Sequence, residues 1–330
     1  MTRRIVTVAA PSRLHFGMFS FGQPGVRQFG GVGAMISAPG VQLTITADDR
    51  LDVIVPGNDA PLVETVTKYV RNIEQAGWLG GAARSRIEVN SIPRRHVGLG
   101  SGTQLALAMA AGLNALVDGP PRTPEELAKA VRRGQRSAIG THGFARGGLL
   151  VEAGKLAPEE ISPLVSRVEL PNAWRWVLVC PPSEVGLSGD AERRAFDKLP
   201  PVPRETTDAL CRRAFLELVP AAATADFARF SDALYDFGHA AGLCFASQQA
   251  GAFASPRVAA LVEQIRNLGI HGVAQTSWGP TIAALVRGES AANSLVQQLQ
   301  NLPGAADLEI TIAAPENRGA QITTTTGRRQ

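Results

Sequence analysis

At 330 residues with 45% apolar side chains, the chain exceeds what one compact core normally organises, and two packed domains are expected. Its three cysteines, Cys180, Cys211 and Cys244, lie far apart without CxxC spacing, which argues against a disulfide framework and against a zinc site. The net charge of +4 is carried almost wholly by arginine, and with 5% aromatics and no basic run interleaved with them it disfavours nucleic acid and suits an anionic small molecule. No apolar run approaches the roughly 20 residues that span a bilayer, and the opening MTRRIVTVAAPSR is too short in apolar run for a signal peptide. A soluble, cytoplasmic protein with no membrane partner is expected.

In chain order, β-type alternation marks residues 5–9, 42–46 and 86–89 as strands, with PSRLHFG, GQPG and RQFGGVG between them. Residues 104–117 are apolar nearly all round, with Leu105, Met109, Leu113 and Leu116 on one stripe, so this helix is buried. Thr123-Pro124-Glu125-Glu126 supplies an N-cap, a proline at the first helical position and an acidic third residue, predicting a helix that runs to about Arg136. The second half opens with the strand 174–179 before Pro181-Pro182, followed by long helices over 205–219 and 225–246. Ser255-Pro256 starts a helix closed by Gly269; strands at 272–275, 281–286 and 307–313 and a helix near 290–302 complete the pattern. This order predicts an α+β fold, with a domain over 1–170 and a sandwich over 171–330 whose helices cover one face of a sheet. The polar tail 316–330 is expected to be partly mobile.

The glycine-rich stretch HVGLGSGTQLALA at 96–108 runs straight into the buried helix. It is not a P-loop, since no lysine stands beside a Ser or Thr after the glycines. As a dinucleotide fingerprint it is weak: Pro93-Arg94-Arg95-His96 separates strand from glycines, and Asp118 falls in the turn VDGPP. The remaining reading is a helix N-terminus that meets an anion, with Gly98, Gly100 and Gly102 letting the backbone come close. Arg13 and His15 occupy alternate positions in SRLHFG and share a face if that segment is extended.

Together, SRLHFG at 12–17, FGGVGAMISAPG at 29–40, HVGLGSGTQLALA, IGTHGFARGG at 139–148, GLSGDAERRAF at 186–196 and QTSWGPT at 275–281 resemble a branch of the GHMP kinase superfamily. That branch is the β-ribofuranosylaminobenzene 5′-phosphate synthase family, decarboxylating phosphoribosyltransferases of tetrahydromethanopterin biosynthesis. The resemblance implies the GHMP two-domain fold, with an N-terminal β/α domain and a C-terminal ferredoxin-like α/β sandwich. Two departures separate the chain from the kinases of the superfamily. Gly102 stands where their loop resembles GLGSS, and the segment 140–148 lacks the carboxylate they carry ahead of Gly-Gly. Phosphoryl transfer needs a group to position the attacking hydroxyl and a metal between phosphates.

The family's chemistry, as implied, condenses 5-phosphoribosyl 1-pyrophosphate with 4-hydroxybenzoate or 4-aminobenzoate, releasing carbon dioxide and pyrophosphate. The backbone from Gly100 through Ser101 and Gly102 to Thr103 would hold the diphosphate with magnesium, for which Glu184, Asp190 and Glu192 are the candidate ligands. Arg13, His15, Arg27, His96 and Arg146 would bind the 5′-phosphate and the benzoate carboxylate, a histidine also serving as base for the para hydroxyl. Gly30, Gly31, Gln104, Gln275 and Ser277 are further site candidates, and Trp278 would stack on the benzoate ring. His239 and His271 fall outside the motifs and read as structural. A homodimer is the default assembly. An ATP-dependent small-molecule kinase is the alternative enzyme, and a catalytically inert binding protein the alternative from another class.

Overall fold

The computed structural model describes residues 2–79, 84–186, 189–249 and 251–328. Strands β1 (Thr2–Met18) and β2 (Gly31–Ala47) are much longer than alternation indicated and pair antiparallel, with register shifts at Ala10/Ser12 and His15/Gly17. PSRLHFG therefore lies inside β1, and RQFGGVG runs into β2. The cause is two-sided burial. Positions 31–36 of β2 are all buried, whereas 41–47 alternate, and only the alternating half carries a period-two signal.

Next come β3 (Asp52–Ile54), α1 (Ala60–Gln75), β4 (Ser85–Ser91), α2 (Ser101–Leu116), α3 (Pro124–Ala130), α4 (Ile139–Arg146), β5 (Leu149–Glu152) and β6 (Leu164–Val168). The capping box at Thr123 forms as expected: Glu126 N–H donates to the Thr123 hydroxyl at 3.2 Å, and Thr123 N–H to the Glu126 carboxylate at 2.7 Å. The helix does not reach Arg136. Left-handed Arg132 (φ 57°) turns the chain so that Arg133 N–H donates back to the Ala128 carbonyl at 2.8 Å, which ends α3 and leaves 132–137 as a loop.

The second half contains β7 (Trp174–Cys180), a short helix α5 (Gly189–Phe196) where the sequence pattern indicates a loop, and α6 (Arg204–Arg213). A π turn (Ala214–Leu218) links α6 to α7 (Val219–Ala223), so the expected helix over 205–219 is interrupted. Then follow α8 (Phe227–Leu243), α9 (Pro256–Asn267), β8 (Val273–Gln275), β9 (Ile282–Arg287), α10 (Glu289–Gln300), β10 (Glu309–Ala313) and β11 (Gln321–Arg328). Ser255 caps α9 through Val258 N–H, as its Ser-Pro start indicated.

The first sheet runs β11-β1-β2-β4-β3, with β5 on β2 and β6 on β5; the second runs β10-β7-β9-β8. The polar tail is thus not a free end through residue 328: its β-branched run ITTTT pairs antiparallel with β1, Ile322 opposite Val8 and Thr326 opposite Arg4. α1 and α2 pack beneath the first sheet on Val8, Leu43, Ile45 and Ile87. The approach is close, since a Cβ at Gly112 of α2 would lie 2.8 Å from Ile45 Cδ1. Between the sheets, Leu14, Phe16 and Val32 meet Trp176, Leu285 and the α6–α8 layer; on the far side, α9 and α10 cover Val177, Val179 and Ala284. The second sheet is therefore covered on both faces, not on one, because Trp176 and Leu178 point away from Val177 and Val179 and bring α8 onto that side. The fold is α+β. No helix among the described residues is long and apolar enough to cross a membrane.

Candidate active site

Where β1 leaves the first sheet's core, it is stitched to both flanking glycine motifs. Arg13 N–H donates to the Leu99 carbonyl at 3.0 Å, His15 N–H to Thr276 Oγ1 at 2.9 Å, and Ser277 N–H to the His15 carbonyl at 2.8 Å. Thr276 Oγ1 in turn donates to the Gly98 carbonyl at 2.9 Å. SRLHFG, GLGSG and QTSWGP, which are far apart in sequence, are therefore one hydrogen-bonded unit. Gly186 of the GLSG motif joins them through its N–H to the His96 carbonyl at 2.7 Å, and Gly140 of IGTHG accepts from Gln104 Nε2 at 2.8 Å.

These segments enclose a cleft of about 540 Å³. Arg13 and His15 both line it, as their alternate positions predict. The Arg13 guanidinium donates to Ser277 Oγ at 3.0 Å, while its Nε is buried without a partner among the described residues. Burial lowers Arg13 to about 10, so it stays a cation near neutrality, and among the described residues no carboxylate pairs with it. His15 is 3% exposed and its Nε2 has no partner among the described residues; burial first, and then the Arg13 charge, hold it down to about 3. It is a neutral imidazole at physiological pH. His96 also lines the cleft, with left-handed backbone (φ 64°) and a pKa lowered by burial and by Arg95.

The glycines of the loop divide by task. A Cβ at Gly98 (φ 92°) would lie 2.3 Å from the Thr276 carbonyl oxygen, and one at Gly100 (φ 71°) 3.2 Å from Arg13 Nε. Both let the loop dock. At Gly102 a Cβ would meet nothing nearer than Arg133 Nη2 at 3.4 Å, so this glycine leaves space toward the cleft. The N–H groups of Ser101 and Gly102, in the first turn of α2, have no partner among the described residues.

The opposite wall comes from the loop 132–137 (RRGQRS), which the sequence reading absorbed into α3 and so missed as site. Its signal was present: two arginines followed by a glycine are a helix stop with cations beyond it. Arg136 bridges to Glu192 at 2.7 Å and lies 4.5 Å over the Phe196 ring. Phe196, also missed, stacks on Trp278 at 5.0 Å with planes 6° apart, and Phe245 meets Trp278 edge-on at 5.2 Å. Cations and aromatics thus share the cleft, Arg136 lying over Phe196 and Ser277, which holds Arg13, standing next to Trp278 in the chain. Trp278 lines the cleft, with its indole N–H buried and unpartnered among the described residues.

Other expected residues stand elsewhere or are otherwise engaged. Arg27 is bidentate on Glu159 at 2.7 and 2.8 Å, away from the cleft, and Arg146 is exposed on the last turn of α4 outside the lining. Gly30 and Gly31 serve strand packing, a Cβ at Gly31 falling 2.2 Å from the Gly17 oxygen. Gln275 lines the cleft, but both its amide ends bond backbone, at Ala254 N–H and the Ser277 carbonyl. Gln104 is fully buried beneath the first turn of α2. Ser101 and Thr103 line the cleft directly. Of the candidate metal ligands, Glu192 lines the cleft, Glu184 accepts from Ser255 Oγ at 2.9 Å outside it, and the Asp190 side chain lies outside the described residues. Among the described residues no three His, Cys, Asp or Glu gather around one point, though magnesium on a diphosphate needs only one or two carboxylates. His239 and His271 lie outside the cleft lining, against Tyr235 and Asp232 respectively.

Residues 62–148 match the family described as GHMP kinases N terminal domain, and residues 218–304 match GHMP kinases C terminal. The chain is 30% identical over 242 residues to a β-ribofuranosylphenol 5′-phosphate synthase of Archaeoglobus fulgidus, covering 70% of this chain and 74% of that one. A β-ribofuranosylphenol 5′-phosphate synthase of Methanothermobacter thermautotrophicus is 26% identical, with 95% of this chain and 97% of the relative covered. Among solved structures, homoserine kinase from Cytophaga hutchinsonii superposes with a TM-score of 0.69 at 17% identity over 97% of each chain. Mevalonate diphosphate decarboxylase from Staphylococcus aureus gives 0.68 at 16% identity, over 97% of this chain and 98% of that one. These two likenesses speak to fold.

Proposed function

The chain belongs to the β-ribofuranosylphenol 5′-phosphate synthase family of the GHMP kinase superfamily, and from that premise we propose that its cleft joins 5-phosphoribosyl 1-pyrophosphate to 4-hydroxybenzoate, in tetrahydromethanopterin biosynthesis. The observation that carries the reading is one cleft lined by a buried guanidinium without a carboxylate partner among the described residues, by the open N–H groups of a helix's first turn and by stacked aromatics. The hydroxyl, rather than amino, acceptor follows the phenol in the relatives' names.

In this reaction the bond from ribose C1 to the diphosphate oxygen breaks, its electron pair leaving with pyrophosphate. The ring carbon bearing the carboxylate attacks C1, and loss of carbon dioxide returns its electron pair to the ring. The barrier is charge separation, so preorganised donors matter more than acid–base strength. Ser101 and Gly102 N–H groups point at the departing diphosphate, and Arg13 supplies a cation whose direction Ser277 fixes. His15, neutral, offers Nε2 as a hydrogen-bond partner to substrate rather than as a charged acid. Phe196, Trp278 and Phe245 give the benzoate ring an apolar wall, and Arg136 a carboxylate or phosphate partner. Glu192 would be the carboxylate to hold magnesium on the diphosphate, exchanging Arg136 for the ion, which would neutralise leaving-group charge.

The ATP-dependent kinase alternative is the weaker reading: among the described residues Glu192 is the cleft's one carboxylate, and it is held by Arg136. Incubating the protein with phosphoribosyl pyrophosphate, magnesium and 4-hydroxybenzoate should release carbon dioxide and pyrophosphate in equal amounts. ATP consumption on small alcohols, without carbon dioxide release from either benzoate, would refute it.

A further inference from the structure

We propose that Arg133 is a binding residue for the leaving diphosphate, standing over the first turn of α2 on its Gly102 side. The proposal rests on the reading above that this turn receives a diphosphate. Arg133 lines the cleft because α3 stops early at left-handed Arg132 and the chain turns across the mouth of α2. Its guanidinium is aimed by Tyr69. Arg133 Nη2 donates to the Tyr69 hydroxyl, the guanidinium lies 5.6 Å over that ring, and the Tyr69 hydroxyl donates to the Gly102 carbonyl at 3.2 Å. Tyr69 is 4% exposed, so this support is rigid. Among the described residues no carboxylate neutralises Arg133.

Gly102 supplies the second observation. Unlike Gly98 and Gly100 it has ordinary helical backbone, and nothing but Arg133 Nη2, at 3.4 Å, lies near its missing Cβ. A glycine inside a helix costs stability relative to alanine, and neither conformation nor packing requires this one. What its missing side chain does is keep the space between the guanidinium and the free N–H groups of Ser101 and Gly102 open. On the Gly100 side of the same turn stands Arg13, with Nε unpartnered, and beyond it the unpartnered Nε2 of His15. Two guanidiniums flank one helical turn, next to glycines two positions apart. A single phosphate addresses one side at a time, whereas a diphosphate presents oxygens on two phosphorus atoms to both.

The test is direct binding, without turnover, of inorganic pyrophosphate and separately of ribose 5-phosphate, by calorimetry on the full chain with magnesium. Arg133→Gln should weaken pyrophosphate about tenfold or more and leave ribose 5-phosphate within about twofold. Arg133→Lys should recover part of the loss, and Tyr69→Phe, which keeps the charge but frees it, should lose less. Unchanged pyrophosphate affinity in Arg133→Gln overturns the proposal, as does a loss confined to ribose 5-phosphate. Should that variant not fold, Gly102→Ser, which fills the same space, gives the same readout. Weakened pyrophosphate binding in a protein that never releases carbon dioxide would uphold the Arg133 assignment while removing the synthase reading.

Discussion

The Arg13 guanidinium donates to Ser277 Oγ at 3.0 Å across 264 positions of sequence, and this bond fixes a buried cation against the first turn of α2. Among the described residues Arg13 has no carboxylate partner, so its truncation removes charge without orphaning another charge, and the fold should tolerate Arg13→Ala. Turnover should not: losing one preorganised donor to a leaving anion costs about 10²- to 10³-fold in kcat. Ser277→Ala, which leaves the guanidinium but not its direction, should cost about tenfold. Carbon dioxide release and thermal melting on both variants check this, and an active Arg13→Ala removes Arg13 from the site.

Gly98 and Gly102 separate a glycine needed for folding from one needed for space. At Gly98 a Cβ would press to 2.3 Å on the Thr276 oxygen with φ at 92°, so Gly98→Ala should cost about 2 kcal/mol or more of stability. Gly102→Ala gains helix propensity, about 1 kcal/mol at most, and meets nothing closer than Arg133 Nη2. Urea denaturation should rank the two oppositely. Equal destabilisation would mean that Gly102 is structural after all.

What was legible in the sequence follows from whether the signal is local. The capping box at Thr123, the buried stripe of α2 and the shared face of Arg13 and His15 are read from neighbours, and each reappears in the structure. The inner halves of β1 and β2 were not legible as strands, because burial on both faces erases alternation. The loop 132–137 was half legible: Gly134 after two arginines is a stop signal, but arginine and glutamine are good helix formers, and Arg132's left-handed turn, which ends α3 earlier, is a tertiary outcome. Phe196 was hidden because its role is a stack on Trp278, a pairing no spacing announces. Arg27 carried a motif but not the cleft: Glu159, far off in sequence, claims it.

Two buried groups set opposite pH slopes on stability. His15 is depressed from 6.5 to about 3, so its contribution is complete above 6.5 and lost as pH falls toward 3. Glu152, fully buried, receives the Ser137 hydroxyl at 2.5 Å and Ala138 N–H at 2.7 Å, yet burial still raises it from 4.5 to about 7. Its contribution is complete below 4.5 and lost as pH rises through 7. His15→Gln should flatten the acid limb of a melting-temperature profile, and Glu152→Gln the limb between pH 4.5 and 7. By NMR, the His15 imidazole should stay neutral from pH 8 down to 5; a midpoint near 6.5 would contradict its burial.

The aromatic wall of the cleft predicts a separation of substrate effects. Phe196 stacks on Trp278 at 5.0 Å and Phe245 closes the edge of the indole, whereas the open N–H groups and Arg133 belong to α2 and the loop 132–137. Trp278→Leu keeps apolar volume but removes the ring face, and aromatic pairing is worth about 0.5–1.5 kcal/mol beyond area. KM for 4-hydroxybenzoate should therefore rise about 2- to 12-fold, with pyrophosphate affinity unchanged. Phe196→Leu should do the same and also loosen Arg136, whose guanidinium lies 4.5 Å over that ring. Steady-state kinetics with each substrate varied in turn decides the matter. If Trp278→Leu instead raised KM for phosphoribosyl pyrophosphate alone, the ring of the benzoate would belong elsewhere and the aromatic wall would be packing.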